Sequence, residues 1–160
     1  MAYTYNSQLL PQTINTPAAN ALLSTAMAST TNYDGTQAVG TAMALIFTAN
    51  ATNGSQLPKL RVRYSSTNGA AASGTTTATV VRIFLNNGSA NTTAANNIFI
   101  GEVNVPSVAM SQTVSLSQPT DFDFGLLVLP PGWRVYAGLA TAIGGTNCAL
   151  AVSMPGGGDF

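Results

Sequence analysis

Residues 122–154 read FDFGLLVLPPGWRVYAGLATAIGGTNCALAVSM, and this stretch decides the fold class. Two turn signals, Pro130-Pro131-Gly132 and Gly144-Gly145, separate three apolar runs. Proline presets the backbone for the first corner of a turn, and glycine accepts the corner that other residues resist. In the middle run, successive side chains fall on opposite faces, as they do in a strand. The stretch therefore predicts three antiparallel strands joined as a β-meander.

Upstream of this stretch, five further strands are predicted from β-branched and aromatic runs or from apolar/polar alternation. They cover residues 39–48, 60–65, 75–85, 97–105 and 111–116. The loops between them are rich in Gly, Asn, Ser and Thr. About eight short strands with such loops predict an all-β fold, an antiparallel β-sandwich or jelly roll.

The first 35 residues lack strand alternation and are predicted to form an extended N-terminal arm. Residues 18–28 favour a short helix, because Thr16-Pro17 suits its N-cap and first turn. The arm either folds back on its own sandwich or lies across a neighbouring subunit. Its apolar residues, which are the predicted inter-subunit contacts, are Tyr3, Tyr5, Leu9, Leu10 and Ile14. The predicted sandwich then spans residues 36–155, and the glycine-rich residues 156–160 are predicted to be a flexible tail.

Charged residues are unusually few, with five Lys+Arg, five Asp+Glu and no His. They make up 6% of the chain, against roughly 25% in ordinary soluble domains. Such a surface has weak long-range fields, so neither nucleic acid nor an anionic membrane is expected as a partner. A neutral surface also does little to oppose self-association.

Cys148 is the only cysteine, which excludes an intrachain disulfide and a Cys-based zinc site. Because it lies in an apolar run, it is predicted to be a small buried hydrophobic residue. The N-terminus lacks the basic and apolar regions of a signal peptide, and no run approaches the ~20 apolar residues of a membrane helix. The chain is therefore expected to be made and retained in a cytosol.

The sequence offers little to catalysis. Without His, the commonest general base and metal ligand are absent. Asp121 and Asp123 are close in sequence and point the same way on a strand, which suits a Ca²⁺ site or a glycosidase pair. The alternative is that they flank the start of a strand and discourage edge pairing. We expect no enzyme activity and no catalytic, metal or cofactor-binding residues.

Basic residues form one candidate contact face. Arg61 and Arg63 share a strand face that Lys59 extends. Three charges make a poor nucleic-acid stripe, so this face is predicted to be the rim of a subunit contact or a solvated surface. Arg82 and Arg134 are candidates for cross-strand pairing with a carboxylate. The candidate partners are Asp121, Asp123 and Glu102.

Residues 127–137 read LVLPPGWRVYA, and they follow ALIFTA at 44–49 and IGEV at 100–103. This pattern resembles small structural proteins of tailed bacteriophages, including head decoration (cement) proteins and tail-tip or adsorption modules. The resemblance covers roughly residues 39–154. It rests on turn and strand motifs, together with an Ala/Thr/Asn/Gly-rich composition.

The resemblance implies a jelly-roll capsid decoration protein on the virion surface, assembled in the host cytoplasm. Its implied partners are copies of itself, as a trimer, and the major capsid protein, which the N-terminal arm would span. Two alternatives stay open. One is a tail, collar or fibre-base component. The other is a carbohydrate- or receptor-binding sandwich, whose aromatic platform would draw on Tyr33, Trp133 and Tyr136.

Overall fold

The structure is a computed structural model that describes residues 13–14, 21–27, 33–36, 43–67, 69 and 71–160. In these ranges the chain forms strands and one short 3₁₀ helix, at Ala94–Asn96, but no α-helix. The strands are β1 (Thr13–Ile14), β2 (Ala21–Leu23), β3 (Met43–Thr48), β4 (Ser55–Ser66), β5 (Thr79–Asn86), β6 (Asn97–Val105), β7 (Phe122–Leu129), β8 (Arg134–Leu139), β9 (Cys148–Ser153) and β10 (Gly158–Asp159). The described part of the chain contains no helix long and apolar enough to cross a membrane.

The strands form two antiparallel sheets. The first has the order β1-β10-β4-β9-β2, with β7 also paired to β4. The second has the order β3-β8-β5-β6. Their inner faces pack together as a β-sandwich.

The first sheet is simpler than its six strands suggest. Arg61 pairs with Ser153 and Gln56 pairs with Gly158, so both chains advance five residues between the two pairings. β9 and β10 therefore follow one another along one edge of β4. In the same way, β1 and β2 follow one another along β10 and β9. β7 lies on the opposite edge of β4, because Ser55 pairs with both β10 and β7.

Counting β1 with β2, and β9 with β10, leaves eight strands. The first sheet then contains the first, eighth, third and sixth strands in order, and the second contains the second, seventh, fourth and fifth. Chain neighbours thus alternate between sheets, except that β5 and β6 pair with each other in the second sheet, and the last strand returns beside the first. This is jelly-roll connectivity, so the predicted all-β fold is confirmed.

The predicted meander at residues 122–154 is wrong, although all three of its strands exist. β7 pairs with β4, β8 with β3 and β5, and β9 with β4 and β2, so the three strands do not pair with one another. Each turn instead carries the chain across to the other sheet. The physical reason is burial: β8 is apolar on both faces, with Val135 and Leu139 inside the sandwich and Tyr136 in a second cluster.

Apolar side chains from both sheets fill the core. The main cluster includes Leu57, Leu60, Val62, Val81, Ile83, Leu129, Val135, Leu139, Leu150 and Val152. A smaller cluster lies on the outer face of the second sheet and consists of Met27, Met43, Phe84 and Tyr136. The second sheet is therefore covered on both sides near β8 and β5.

Residues 21–27 correct the helix prediction for residues 18–28. Ala21–Leu23 is strand β2, paired with β9, and the Met27 backbone N–H donates to Leu139 O at 2.8 Å. Leu23 and Met27 are buried. Pairing with an exposed strand edge buries these side chains. The free energy gained by this burial outweighs the modest helix propensity of the segment. Here the chain folds back on its own sandwich.

Residues 111–116 do not form the predicted edge strand. They form bends in which Ser111 Oγ accepts hydrogen bonds from the backbone N–H groups of Thr113 and Val114, both at 3.1 Å. Serine side chains offer the backbone a local alternative to strand pairing. Polar alternation alone was therefore a misleading signal in this segment.

The C-terminal residues also differ from the flexible tail predicted for 156–160. Gly158–Asp159 pairs with β4 as β10, and Ser55 Oγ donates to Asp159 Oδ1 at 2.5 Å. The Phe160 backbone N–H donates to Gly54 O at 3.4 Å, and Asn53 Nδ2 donates to Phe160 O at 2.7 Å. These contacts attach the end of the described chain to the first sheet.

Candidate functional site

Lys59, Arg61 and Arg63 form what we call the cationic row, on the outward face of β4. They alternate with Leu60 and Val62, which are fully buried. The three basic side chains are 43%, 41% and 36% exposed. The strand alternation seen in the sequence therefore puts them on one face, as predicted.

Asp121 neutralises part of the cationic row. Its Oδ1 lies 2.7 Å from Arg63 Nη1, while its Oδ2 lies 3.6 Å from Arg61 Nε and 3.7 Å from Lys59 Nζ. The ion pair with Arg63 is the shortest of the three, although Asp121 Oδ1 has no partner in hydrogen-bonding geometry among the described residues. Asp121 thus pairs closely with Arg63 and attracts the other two cations by charge alone.

The segment before β7 positions this carboxylate. Gln118 Oε1 accepts a hydrogen bond from the Tyr64 backbone N–H at 2.9 Å, and Arg63 Nη1 donates to Pro119 O at 3.2 Å. These bonds hold residues 118–121 beside β4. The sequence predicted Asp121 as a partner for Arg82 or Arg134, but β7 pairs with β4 and brings Asp121 to the cationic row instead.

Two opposing effects act on the pKa of Asp121. Burial by itself raises the pKa, but the close ion pair with Arg63 and the charges of Arg61 and Lys59 together lower the pKa by more than burial raises it. The net result is a pKa below the ordinary aspartate value. The carboxylate is therefore ionised at neutral pH and acts as a fixed negative charge.

All ten Lys, Arg, Asp and Glu residues fall within the described ranges, so every charged side chain on this face can be counted. Asp121 is the carboxylate within 4.0 Å of the cationic row. Asp123, the cross-strand partner of Lys59, is the other acidic residue on this face. Three cations and two carboxylates leave one net positive charge. In addition, Arg61 Nε and Asp121 Oδ1 are buried, and neither has a hydrogen-bond partner among the described residues.

β7 presents an apolar edge beside the cationic row. Within the described ranges it pairs with β4 and with no other strand. Leu126 is 63% exposed and Val128 is 49% exposed. Proteins usually protect edge strands with charges, prolines or covering segments, because unpaired edges recruit other chains. β7 carries a single charge, Asp123.

A bulge interrupts β7 opposite Pro58. Leu57 pairs with Leu127 and Lys59 pairs with Asp123. Between these two pairings β7 advances four residues, while β4 advances two. Pro58 has no N–H to donate, so a regular ladder cannot pass through this position. The extra residues of β7 therefore loop out of the sheet.

Leu126 takes an uncommon backbone conformation in this bulge, with φ at 65°. Gly125 precedes it with φ at 61°, and the Gly125 N–H donates to Asp123 Oδ1 at 2.8 Å. A non-glycine residue in the left-handed region costs about 1 kcal/mol or more. An open groove of ≈ 450 Å³ results, lined by Pro58, Lys59, Asp123, Gly125 and Leu126.

A polar and aromatic group around Arg82 lies on the outer face of the second sheet. Arg82 Nε donates to Glu102 Oε1 at 2.8 Å, which confirms one of the predicted cross-strand pairs. Arg82 Nη2 donates to Tyr33 Oη at 2.9 Å, and its guanidinium carbon lies 3.9 Å from the centroid of the Tyr33 ring. Tyr33 and Phe99 form an edge-to-face pair with centroids 5.2 Å apart. Arg134 makes no ion pair with the described carboxylates.

The predicted aromatic platform is only partly present. Tyr33 is exposed, but Tyr136 is buried in the smaller apolar cluster with Met27, Met43 and Phe84. Trp133 is half-buried against the main core. Phe99 takes their place, and no sequence pattern pointed to it. A register shift between Ile83 and Phe84 on the neighbouring strand changes which residues of β6 face outward. Strand alternation could not reveal that shift.

The remaining predicted residues have mixed outcomes. Tyr3, Tyr5, Leu9 and Leu10 lie outside the described residues, and Ile14 is described only through its backbone in β1. Cys148 is buried, as predicted. No three His, Cys, Asp or Glu side chains of the described chain are grouped so that they could hold a metal ion.

Comparison with known proteins adds no relative. The chain matches no protein-family model, no curated protein and no solved structure.

Proposed function

We propose that this chain is a non-enzymatic structural protein of a phage virion, a capsid decoration protein that stabilises the head through contacts between subunits. Its partners are copies of itself and the major capsid protein. The proposal draws on the jelly-roll fold, which occurs in viral capsid proteins, and on the sequence resemblance described above. A fold alone does not specify a function, so the surface has to carry the argument.

The observation that carries this proposal is the apolar free edge of β7, which no other described strand covers. Leu126 and Val128 are exposed at 63% and 49% on a strand with one charged residue. Exposed apolar side chains on a strand edge mark surfaces that another chain covers. A protein that works by being covered by neighbours needs such a surface, whereas an enzyme needs a cleft with reactive groups.

The test is binding to undecorated heads of the parent phage, followed by cosedimentation and thermal disruption of the heads. We expect the full chain to bind the shell and raise its disruption temperature. Leu126→Ser should weaken this binding. Val114→Ser is the matched control, because Val114 is 67% exposed and lies outside the strands. Failure of the full chain to bind heads would rule out decoration and direct the search to tail, collar or fibre-base assemblies.

A second candidate, glycan binding, is favoured by the cluster around Tyr33 and Phe99. Tyr33 is 51% exposed and Phe99 is 37% exposed, and Glu102 lies beside them. Exposed rings next to a hydrogen-bonding carboxylate suit a sugar ring. Binding to a glycan array that is lost in Tyr33→Ala but kept in Leu126→Ser would favour this function over decoration.

A further inference from the structure

We propose that the β7 edge and the cationic row together bind an extended, carboxylate-bearing segment of a partner protein. The partner's carboxylate meets Lys59 and Arg61, and its neighbouring apolar side chain covers Leu126. This deepens the proposed function by giving the chemistry of the partner, and it rests on that function only for the partner being a protein.

Charge is the first argument. Asp121 lies closest to Arg63, at 2.7 Å, while Lys59 and Arg61 lie 3.7 and 3.6 Å from it, and Arg61 Nε has no hydrogen-bond partner among the described residues. The undescribed parts of the chain contain no Asp or Glu, so their side chains cannot supply the missing carboxylate. A further carboxylate for Lys59 and Arg61 would therefore come from another molecule. The face has one net positive charge, which a single carboxylate balances and a doubly charged phosphate would exceed.

Geometry supplies the second argument. Lys59 lies on β4, one strand spacing of roughly 4.8 Å from β7, and its register partner is Asp123. Leu126 and Lys59 line the same ≈ 450 Å³ groove. A segment that enters this groove beside β7 therefore meets both the Leu126 side chain and the Lys59 side chain. Side chains two residues apart in an extended segment point the same way, so the expected pattern is apolar, any residue, acidic.

The exposed edge of β7 explains why the ligand should be extended. A strand edge with unpaired backbone groups binds extended peptides through main-chain hydrogen bonds, while side-chain pockets select the sequence. Here Leu126 and the cationic row would be the selective elements. The strained backbone of Leu126 is consistent with a binding role, because such strain concentrates at functional sites.

The experiment is an NMR titration of the full ¹⁵N-labelled chain with two synthetic peptides. One is acetyl-Thr-Val-Ser-Glu-Ser-Val-Thr-amide, and the other has Gln in place of Glu. We expect the Glu peptide to shift amide signals along β7 and around Lys59 and Arg61. Its affinity should exceed that of the Gln peptide about fivefold, which is the effect of one partly exposed ion pair.

Variants identify the site. Arg61→Gln should lower the affinity for the Glu peptide to that for the Gln peptide, and Leu126→Ser should weaken both peptides. Arg134→Gln removes the same charge outside this face and should change neither affinity. Equal binding of the two peptides, no binding at millimolar concentration, or shifts confined to other surfaces would each overturn the proposal. So would self-association of the free chain that Arg61→Gln abolishes, because a second copy would then occupy the face. Binding to heads is measured separately, so failure here is distinct from failure of the decoration function.

Discussion

Phe122 of β7 lies against Gly101 of β6, so closely that a Cβ at Gly101 would be 2.5 Å from Phe122 Cε2. The two strands belong to different sheets. The Phe122 ring therefore covers the side of the sandwich between β6 and β7, where Phe124 packs beside it with ring centroids 5.3 Å apart. This contact sets the position of the edge strand that carries the candidate site.

Gly101→Ala should destabilise the fold by about 2 kcal/mol, because the new methyl overlaps the Phe122 ring and the backbone φ of 154° suits glycine. Urea unfolding at neutral pH measures the loss. Gly125→Ala is the control, since its φ is 61° but no atom lies within 4 Å of the added Cβ. It should cost about 1 kcal/mol from backbone strain alone. Equal losses would mean that the Phe122 contact contributes nothing.

Asp121→Asn should change the acid sensitivity of the protein. The pKa of Asp121 is lowered in the folded state, so its ionisation stabilises the fold above the ordinary value of 3.8. That stabilisation is lost as the pH falls through the folded pKa. As the pH falls from 7 to below the folded pKa of Asp121, the free energy of unfolding of the wild type should therefore fall by about 1 kcal/mol more than that of Asp121→Asn. Urea midpoints measured across this pH range give the comparison.

Asp123→Asn is the matched control for that experiment. Asp123 Oδ1 accepts the Gly125 N–H, and the amide oxygen of Asn can accept the same bond. We expect its stability at pH 7 to stay within about 0.5 kcal/mol of wild type. If the free energy of unfolding depends on pH in the same way in both variants, the specific attraction between Asp121 and the cationic row is disproved.

Two truncations should show which of the N-terminal residues the fold requires. Deleting residues 1–12 removes nothing from the described sheets and should leave a folded protein. Deleting residues 1–27 removes β2 and the buried Leu23 and Met27, each of which contributes about 2–5 kcal/mol. Such a loss is comparable with the whole stability of a typical domain, so this form should unfold. Circular dichroism and thermal melts compare the two forms, and a cooperative melt from the longer deletion would contradict this.

Ser55→Ala should destabilise the first sheet by about 1–3 kcal/mol. Ser55 Oγ is fully buried, donates to Asp159 Oδ1 and accepts the Asn50 N–H at 2.9 Å. Removing it breaks both bonds. The exposed Ser89→Ala should change stability by less than about 0.5 kcal/mol. Amide exchange should also quicken at Gly158 and Asp159 in Ser55→Ala, and unchanged exchange would show that Ser55 does not hold β10.

Sequence patterns located most strands well, and the failures have identifiable causes. Residues 97–105 and 122–129 were predicted with the bounds that β6 and β7 have. β4 was predicted to begin at residue 60 but begins at Ser55. The alternation that predicted the strand covers only residues 60–65, and Pro58, which cannot donate to a ladder, lies inside the longer strand. The sheet tolerates it by bulging on β7, which is a property of the neighbour and not of the local sequence.

The candidate site was predictable only in part. Strand alternation placed Lys59, Arg61 and Arg63 on one face, and the opposite charges of Arg82 and Glu102 indicated their pairing. The exposure of Leu126 was not predictable, since an apolar run gives no sign of which residues a bulge turns outward. The same holds for Phe99 on β6.

By itself the sequence determined that the protein is all-β, because alternation and turn residues act over a few neighbouring positions. It also determined that charge is scarce, since composition needs no fold. Only the tertiary structure decided which strands pair, that residues 21–27 and 158–159 complete the first sheet, and that Asp121 meets the cationic row. These outcomes depend on contacts between residues far apart in the chain, where burial of apolar side chains outweighs local preference.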